Sequence, residues 1–162
     1  GAVAAGAGRV IAVDLSPERI AFARQLGATD AFTAGPSAAE EIRDATGGGV
    51  EIVIETAGAI KALELAYKIT RRGGTTVTAG LPPPDAKLDI PAVSLVAEER
   101  TLKGSYIGTS VPLRDLPRYL ALYRQGRLPV DRLLTHRLPL EDINEGFDRL
   151  RTGNAIRQIV TF

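Results

Sequence analysis

Six residues near the start of the chain, Arg9-Val10-Ile11-Ala12-Val13-Asp14, set the tightest limit on how it can fold. Val10, Ile11 and Val13 are β-branched, which suits a strand, and the run ends on a carboxylate. Leu15-Ser16-Pro17-Glu18-Arg19 follows at once and reads as a helix start. Ser16 is the cap, Pro17 takes the first helical position and Glu18 lies near the positive end of the dipole. Strand, terminal acid and capped helix together describe a βα unit of a dinucleotide-binding fold. There the acid receives both hydroxyls of the adenosine ribose and repels a 2′-phosphate, so NAD is preferred over NADP. The plainer alternative is an aspartate that only prepares the approach to the next helix cap. These residues by themselves leave both readings open.

Farther along, short strands and helices alternate. Ile20, Ala23 and Leu26 give the first helix its buried stripe, and Gly27 stops it. Thr29 to Thr33 is a strand, and Ser37 to Thr46 an exposed helix closed by Gly47-Gly48-Gly49. Val50-Glu51-Ile52-Val53-Ile54-Glu55 is a strand whose near-continuous apolar run argues for burial on both faces. Thr56-Ala57-Gly58 turns into a helix over Ala59 to Thr70, and Arg71-Arg72-Gly73-Gly74 is a tight turn. Thr75 to Ala79 is a strand ending at Gly80, after which Leu81-Pro82-Pro83-Pro84 must leave the sheet. Ile90 to Glu99 is a short helix, Thr101 to Ile107 a strand and Leu113 to Arg124 a helix carrying Leu113, Leu116 and Leu120. Leu134 to Leu138 is extended, Leu140, Ile143, Phe147 and Leu150 mark a helix face, and Gln158 to Phe162 closes the chain as a strand. Alternation at this spacing predicts a parallel, doubly wound α/β sheet.

Gly1 to Gly8 suits the last turns of a helix and its glycine stop. A dinucleotide unit should open with a strand and a glycine-rich turn about 20 residues before the acid. Counting back from Asp14 puts that turn upstream of Gly1, so the expectation is a broken-off piece; a short native Ala/Gly-rich terminus is the alternative.

Composition removes several function classes. A net charge of +1 over 162 residues, without a basic run, points away from nucleic acid. No apolar stretch approaches the roughly 18 residues of a membrane span, and the chain reads as cytoplasmic. With no cysteine there is no disulfide, thiolate nucleophile or thiolate metal site. The one histidine, His136, lies between Thr135 and Arg137 on an extended segment and reads as structural. No metal ligand set and no catalytic residue is nominated, and no bound zinc is expected.

Several segments taken together resemble the medium-chain, zinc-dependent alcohol dehydrogenases. They are Arg9 to Asp14, Leu26-Gly27-Ala28-Thr29-Asp30, Glu55-Thr56-Ala57-Gly58, Gly80-Leu81-Pro82-Pro83, Thr101-Leu102-Lys103-Gly104-Ser105, Ile143 to Asp148, and Ile156-Arg157-Gln158-Ile159. Each is loose alone, while their order and spacing run over essentially the whole chain. The resemblance implies a Rossmann-like fold lacking its first strand, with residues 1–107 a partial NAD-binding domain. Residues 108–162 form a C-terminal α/β segment that in the family returns to the catalytic domain. The missing strand would lie between those at Val10 and Val53, which could then close up or keep unpaired edges.

By the same resemblance Asp14 holds the ribose and Arg19 stands beside it or its phosphate. Thr56, Ala57 and Gly58 line the adenine-side ribose and the nicotinamide side of the crevice. Ala79, Gly80 and Leu81 meet the nicotinamide carboxamide through their backbone, with Ser105, Tyr106 and Ile107 as its second contact. Arg157 clasps the pyrophosphate, for which a guanidinium fork is suited. The whole family member would oxidise a small alcohol to an aldehyde or ketone by hydride transfer to NAD. This chain would supply the NAD-binding part, none of the zinc ligands and no turnover alone; a non-catalytic nucleotide-binding or dimerisation module is the alternative. A homodimer is expected through the edge of Thr101 to Ile107, blocked by a proline at Ser105.

Overall fold

The computed structural model describes residues 1–162, in which seven parallel-paired strands alternate with six helices. They fall into two compact units, residues 7–110 and residues 1–6 with 111–162.

In the first unit, strand β1 (Ile11–Asp14) is fastened at its start by Arg9. The guanidinium donates to both carboxylate oxygens of Asp30 at 2.8 and 2.9 Å and to the Ala45 carbonyl at 2.9 Å. That fork ties β1 to its parallel partner β2 (Asp30–Thr33) and to the end of helix α2 (Ala38–Thr46). Helix α1 (Pro17–Gln25) starts as its residues predict, with the Ser16 hydroxyl accepting the Arg19 amide at 3.3 Å. Gly47, at φ 67°, ends α2 in the left-handed conformation that a Cβ disfavours.

Strand β3 (Val50–Glu55), helix α3 (Ile60–Ile69), strand β4 (Thr70–Thr78), helix α4 (Ala92–Ala97) and strand β5 (Thr101–Gly104) complete this unit. The ladder runs β3-β4-β5, all parallel, so Glu55, Thr78 and Gly104 share one register position at the carboxyl end. The core is built from Ala38 and Ile42 of α2 with Leu63, Ala66, Tyr67 and Ile69 of α3. Two threonines are fully buried and satisfy one another. Thr70 donates to the Ala66 carbonyl at 2.8 Å, so the 2.6 Å contact between hydroxyls has Thr76 as its donor.

β1 and β3 share no ladder, so of the two outcomes left open the edges stay unpaired. Four expectations change. Helix α2 is not exposed, since its Ala38 and Ile42 are buried and it packs with α3. β3 is covered on one face only: Ile52 and Ile54 are 64% and 63% exposed, while Glu55 on the opposite face is 5% exposed. The turn at Arg71 to Gly74 is an irregularity inside β4, which runs from Thr70 because Val50 still pairs there before the register jumps to Thr75. Finally, β5 stops at Gly104. Ile107, Gly108 and Thr109 have φ of 50°, 66° and 54°, and a left-handed run cannot continue a strand.

In the second unit the opening residues make a single helical turn, Ala5 N–H to the Gly1 carbonyl at 2.9 Å, ended by Gly6 at φ 88°. Helix α5 (Pro112–Arg124), strand β6 (Leu134–Pro139), helix α6 (Ile143–Arg151) and strand β7 (Arg157–Thr161) follow, with β6 and β7 parallel. Gly146 lets α6 lie close to the sheet, since a Cβ there would come within 2.9 Å of Leu138 Cδ1. Gln158 seals the contact by donating to the Gly146 carbonyl at 2.7 Å. The leucine row of α5 is uncovered, with Leu113, Leu116 and Leu120 exposed.

Candidate functional site

Parallel strands bring their carboxyl ends to one side, and the turns that leave them are held by main-chain groups. At β3 the turn is Thr56-Ala57-Gly58, with Thr56 and Ala57 exposed. At β4 it is Ala79-Gly80-Leu81, with Ala79 and Leu81 exposed. These two turns cross at contact distance. A Cβ on Gly80 would fall 2.2 Å from the Gly58 nitrogen, and one on Gly58 would fall 2.9 Å from the Leu81 carbonyl oxygen. Neither glycine admits a side chain without moving backbone, which is the reason for small residues at this crossing. Ser105 joins the same end of the sheet, its amide donating to the Thr78 carbonyl at 2.8 Å. Its hydroxyl pairs with that of Thr109 at 2.9 Å, closing the left-handed turn on which Tyr106 and Ile107 stand exposed.

Asp14 ends β1 half-buried. Its Oδ1 accepts the Ser16 amide at 2.9 Å, so the carboxylate does serve the approach to α1. That role uses one bond and is compatible with a ribose at the other oxygen. Arg19, exposed in the first turn of α1, gives its amide to the Ser16 hydroxyl. Asp14 and Arg19 therefore stand at the carboxyl end of the two-stranded sheet, and Thr56 to Gly58, Ala79 to Leu81 and Ser105 at that of the three-stranded one. Ile107 lies beyond the strand on the left-handed turn. Arg157 opens β7 in the second unit, exposed, with its carbonyl accepting the Thr135 hydroxyl at 2.9 Å.

Two features escaped the sequence reading. Glu55, noted only as part of a motif, is the buried acid under the two crossing turns; its side chain accepts the Gly58 amide at 2.8 Å and the Thr78 hydroxyl at 2.7 Å. The available signal was a glutamate closing an apolar strand, as Asp14 does. The second is an open recess of about 500 Å³ bordered by α2, α3 and α4, lined among others by Arg43, Tyr67 and Arg100. Two of its cations are committed to structure: Arg43 and Arg100 donate to the Lys68 and Tyr67 carbonyls at the end of α3.

Zinc has no fitting ligand set here. The chain has no cysteine, its one histidine pairs with the Thr135 hydroxyl at 3.0 Å, and no three His, Asp or Glu side chains are grouped to hold a metal. The turns above the parallel strands offer a dinucleotide exposed residues at Thr56, Ala57, Ala79 and Leu81, while the Gly58, Ala79 and Gly80 amides are already taken by Glu55. No helix is long and apolar enough to cross a membrane.

Known proteins place this geometry. The profile of the zinc-binding dehydrogenases matches residues 1–125. Alcohol dehydrogenase 1 of Zea mays and that of Cenchrus americanus are each 36% identical over 164 aligned positions, covering 99% of this chain and 43% of theirs. The chain thus spans less than half the length of these relatives. Among solved structures, an alcohol dehydrogenase zinc-binding domain protein from Burkholderia ambifaria superposes with a TM-score of 0.94 at 34% identity, over 99% of this chain and 44% of that one. Benzyl alcohol dehydrogenase from Acinetobacter calcoaceticus follows at 0.90 and 27%, over 96% of this chain and 43% of that one. The fold is the Rossmann-like one of these enzymes, and the chain belongs to the zinc-binding dehydrogenase family.

Proposed function

We propose that this chain is the NAD-binding portion of an alcohol dehydrogenase that interconverts a small alcohol and its aldehyde or ketone. The observation that carries the reading is the placement of Asp14, a half-buried carboxylate at the end of a parallel strand and at the start of a helix. Asp14 would receive the adenosine ribose with Arg19 beside it. Thr56 and Ala57 would line the crevice, and the main chain of Ala79, Gly80 and Leu81 would face the nicotinamide carboxamide, with Ser105 and Ile107 opposite. Arg157 would hold the pyrophosphate. NAD, when bound, accepts or returns a hydride; these residues bind and orient it. The metal ligands of the family's chemistry are not among this chain's residues, so no proton or hydride step is assigned to them.

Calorimetric titration of NAD and NADP into the purified chain tests the reading. Saturable NAD binding, weaker for NADP, is expected. Equal binding of both would remove Asp14 from the ribose. Binding of neither would leave the dimerisation module as the better account.

A further inference from the structure

One residue beneath the crossing turns gathers four donors. The Glu55 main-chain carbonyl accepts the Ala79 amide at 2.8 Å and the Gly80 amide at 3.3 Å. Its side chain accepts the Gly58 amide at Oε1, 2.8 Å, and the Thr78 hydroxyl at Oε2, 2.7 Å. With 5% exposure it is the most buried acid of the three-stranded sheet, and both its oxygens are met by neutral donors. A buried carboxylate bound only by neutral donors costs desolvation that an apolar side chain would avoid, so its presence calls for a role that an apolar residue could not fill. Geometry supplies the role. Gly58 and Gly80 approach so closely that a Cβ on Gly80 would lie 2.2 Å from the Gly58 nitrogen and 2.9 Å from Glu55 Oε1. Contact alone does not set the direction in which two glycine-containing turns present their amides and carbonyls. Hydrogen bonds from one acid to both turns do.

We infer that Glu55 is a positioning residue, which clips the Thr56–Gly58 turn to the Ala79–Leu81 turn and so presents their backbone to the nicotinamide half of the dinucleotide. This rests on the NAD reading above. Glu55 touches no ligand; it acts through Gly58, Thr78, Ala79 and Gly80. Because Asp14 stands on the separate two-stranded sheet, the clip should bear on the nicotinamide end and leave the adenosine end alone.

That separation makes the idea testable with two probes, NAD and 5′-AMP, on the full chain. Glu55→Ala removes both side-chain acceptors and should weaken NAD by about tenfold or more, with AMP held within about twofold. Glu55→Gln keeps an acceptor for the Gly58 amide, and its NH2 can donate to a rotated Thr78 hydroxyl, so NAD affinity should return to within about threefold of the parent. If Glu55→Ala does not fold, Thr78→Val, which leaves Oε2 without a donor, should show the same split between NAD and AMP. Unchanged NAD binding in Glu55→Ala or, failing that, Thr78→Val overturns the inference. So does a parallel loss of NAD and AMP, or a Glu55→Gln variant as weak as Glu55→Ala. A parent chain that binds neither probe would instead overturn the cofactor reading itself.

Discussion

Single side chains carry two tests of this structure. Replacing Asp14 by Gly removes the carboxylate that a 2′-phosphate would meet, and should narrow the gap between NAD and NADP, read by titrating both. The Ser16 amide loses its 2.9 Å acceptor in the same variant, so a modest drop in thermal midpoint is expected alongside. Arg100 is a purely structural case. Its side chain is 7% exposed, pairs with Glu98 at 2.5 Å, donates to the Tyr67 carbonyl and lies with its guanidinium carbon 5.0 Å from the centre of the Tyr67 ring. Arg100→Met keeps the stem but strands the Glu98 carboxylate and takes one of two donors from the Tyr67 carbonyl, which keeps the Thr70 amide; this should cost about 2–3 kcal/mol, below the usual range for a fully buried pair because Glu98 is partly exposed. Chemical denaturation measures it, and adding Glu98→Gln should recover part of the loss.

Among the elements, α5 owes its start to an acid in its first turn. Asp115 receives the Val111 amide at 2.8 Å and two Arg114 guanidinium nitrogens, Nε and Nη2, at 2.7 and 2.8 Å. The Arg114 fork first, then the Val111 amide, hold its carboxyl down from 3.8 to about 2. A depressed carboxyl stabilises the fold fully above its unfolded value, and that contribution disappears as pH falls through the folded one. Helix content followed by circular dichroism should therefore weaken as pH is lowered from 3.8 to about 2. Asp115→Asn should lower stability near neutral pH and flatten this part of the acid profile. An unchanged profile would mean that the pairing does not couple to folding. Asp30, held down to about 2 chiefly by the Arg9 fork and then by the Thr29 hydroxyl, titrates in the same window and contributes to the slope that remains.

For the whole molecule the feature that matters is the outer edge of β5, the last strand of its ladder. A homodimer pairing two such edges antiparallel about a two-fold axis remains our proposal. The structure changes how it must be tested. The Ser105 amide already bonds Thr78 within the same sheet, so a proline there would break an internal ladder instead of the edge. Amides along a strand alternate in direction, which turns those of Leu102 and Gly104 outward. Gly104→Pro removes an outward donor where an added Cβ meets nothing within 4 Å. By sedimentation at high micromolar concentration the parent should be dimeric and the variant monomeric. A monomeric parent, or a dimer that survives Gly104→Pro, would reject pairing through this edge. In the second case the unpaired edges of β1 and β3 become the next candidates.

Local chemistry was readable from the chain alone because its causes lie within a few residues. The Ser16 cap, the left-handed stop at Gly47 and the bounds of β3 each depend on neighbours no more than a turn away. So did the small residues at Thr56 to Gly58 and Ala79 to Gly80, although not their crossing. Tertiary structure decided what depends on distant partners. Ile52 and Ile54 read as core, yet they lie on the uncovered face because β3 pairs only with β4 and packs with α3. β5 ends three residues early because the left-handed turn at Ile107 to Thr109 breaks the extended backbone, a choice that β-branched Ile107 and Thr109 argue against locally. Glu55 gives no sign in the sequence of its four donors, since three of them, at Thr78, Ala79 and Gly80, reach it only once β4 lies beside β3. Propensity and capping act along the chain, whereas burial and pairing are set by which surfaces the fold brings face to face.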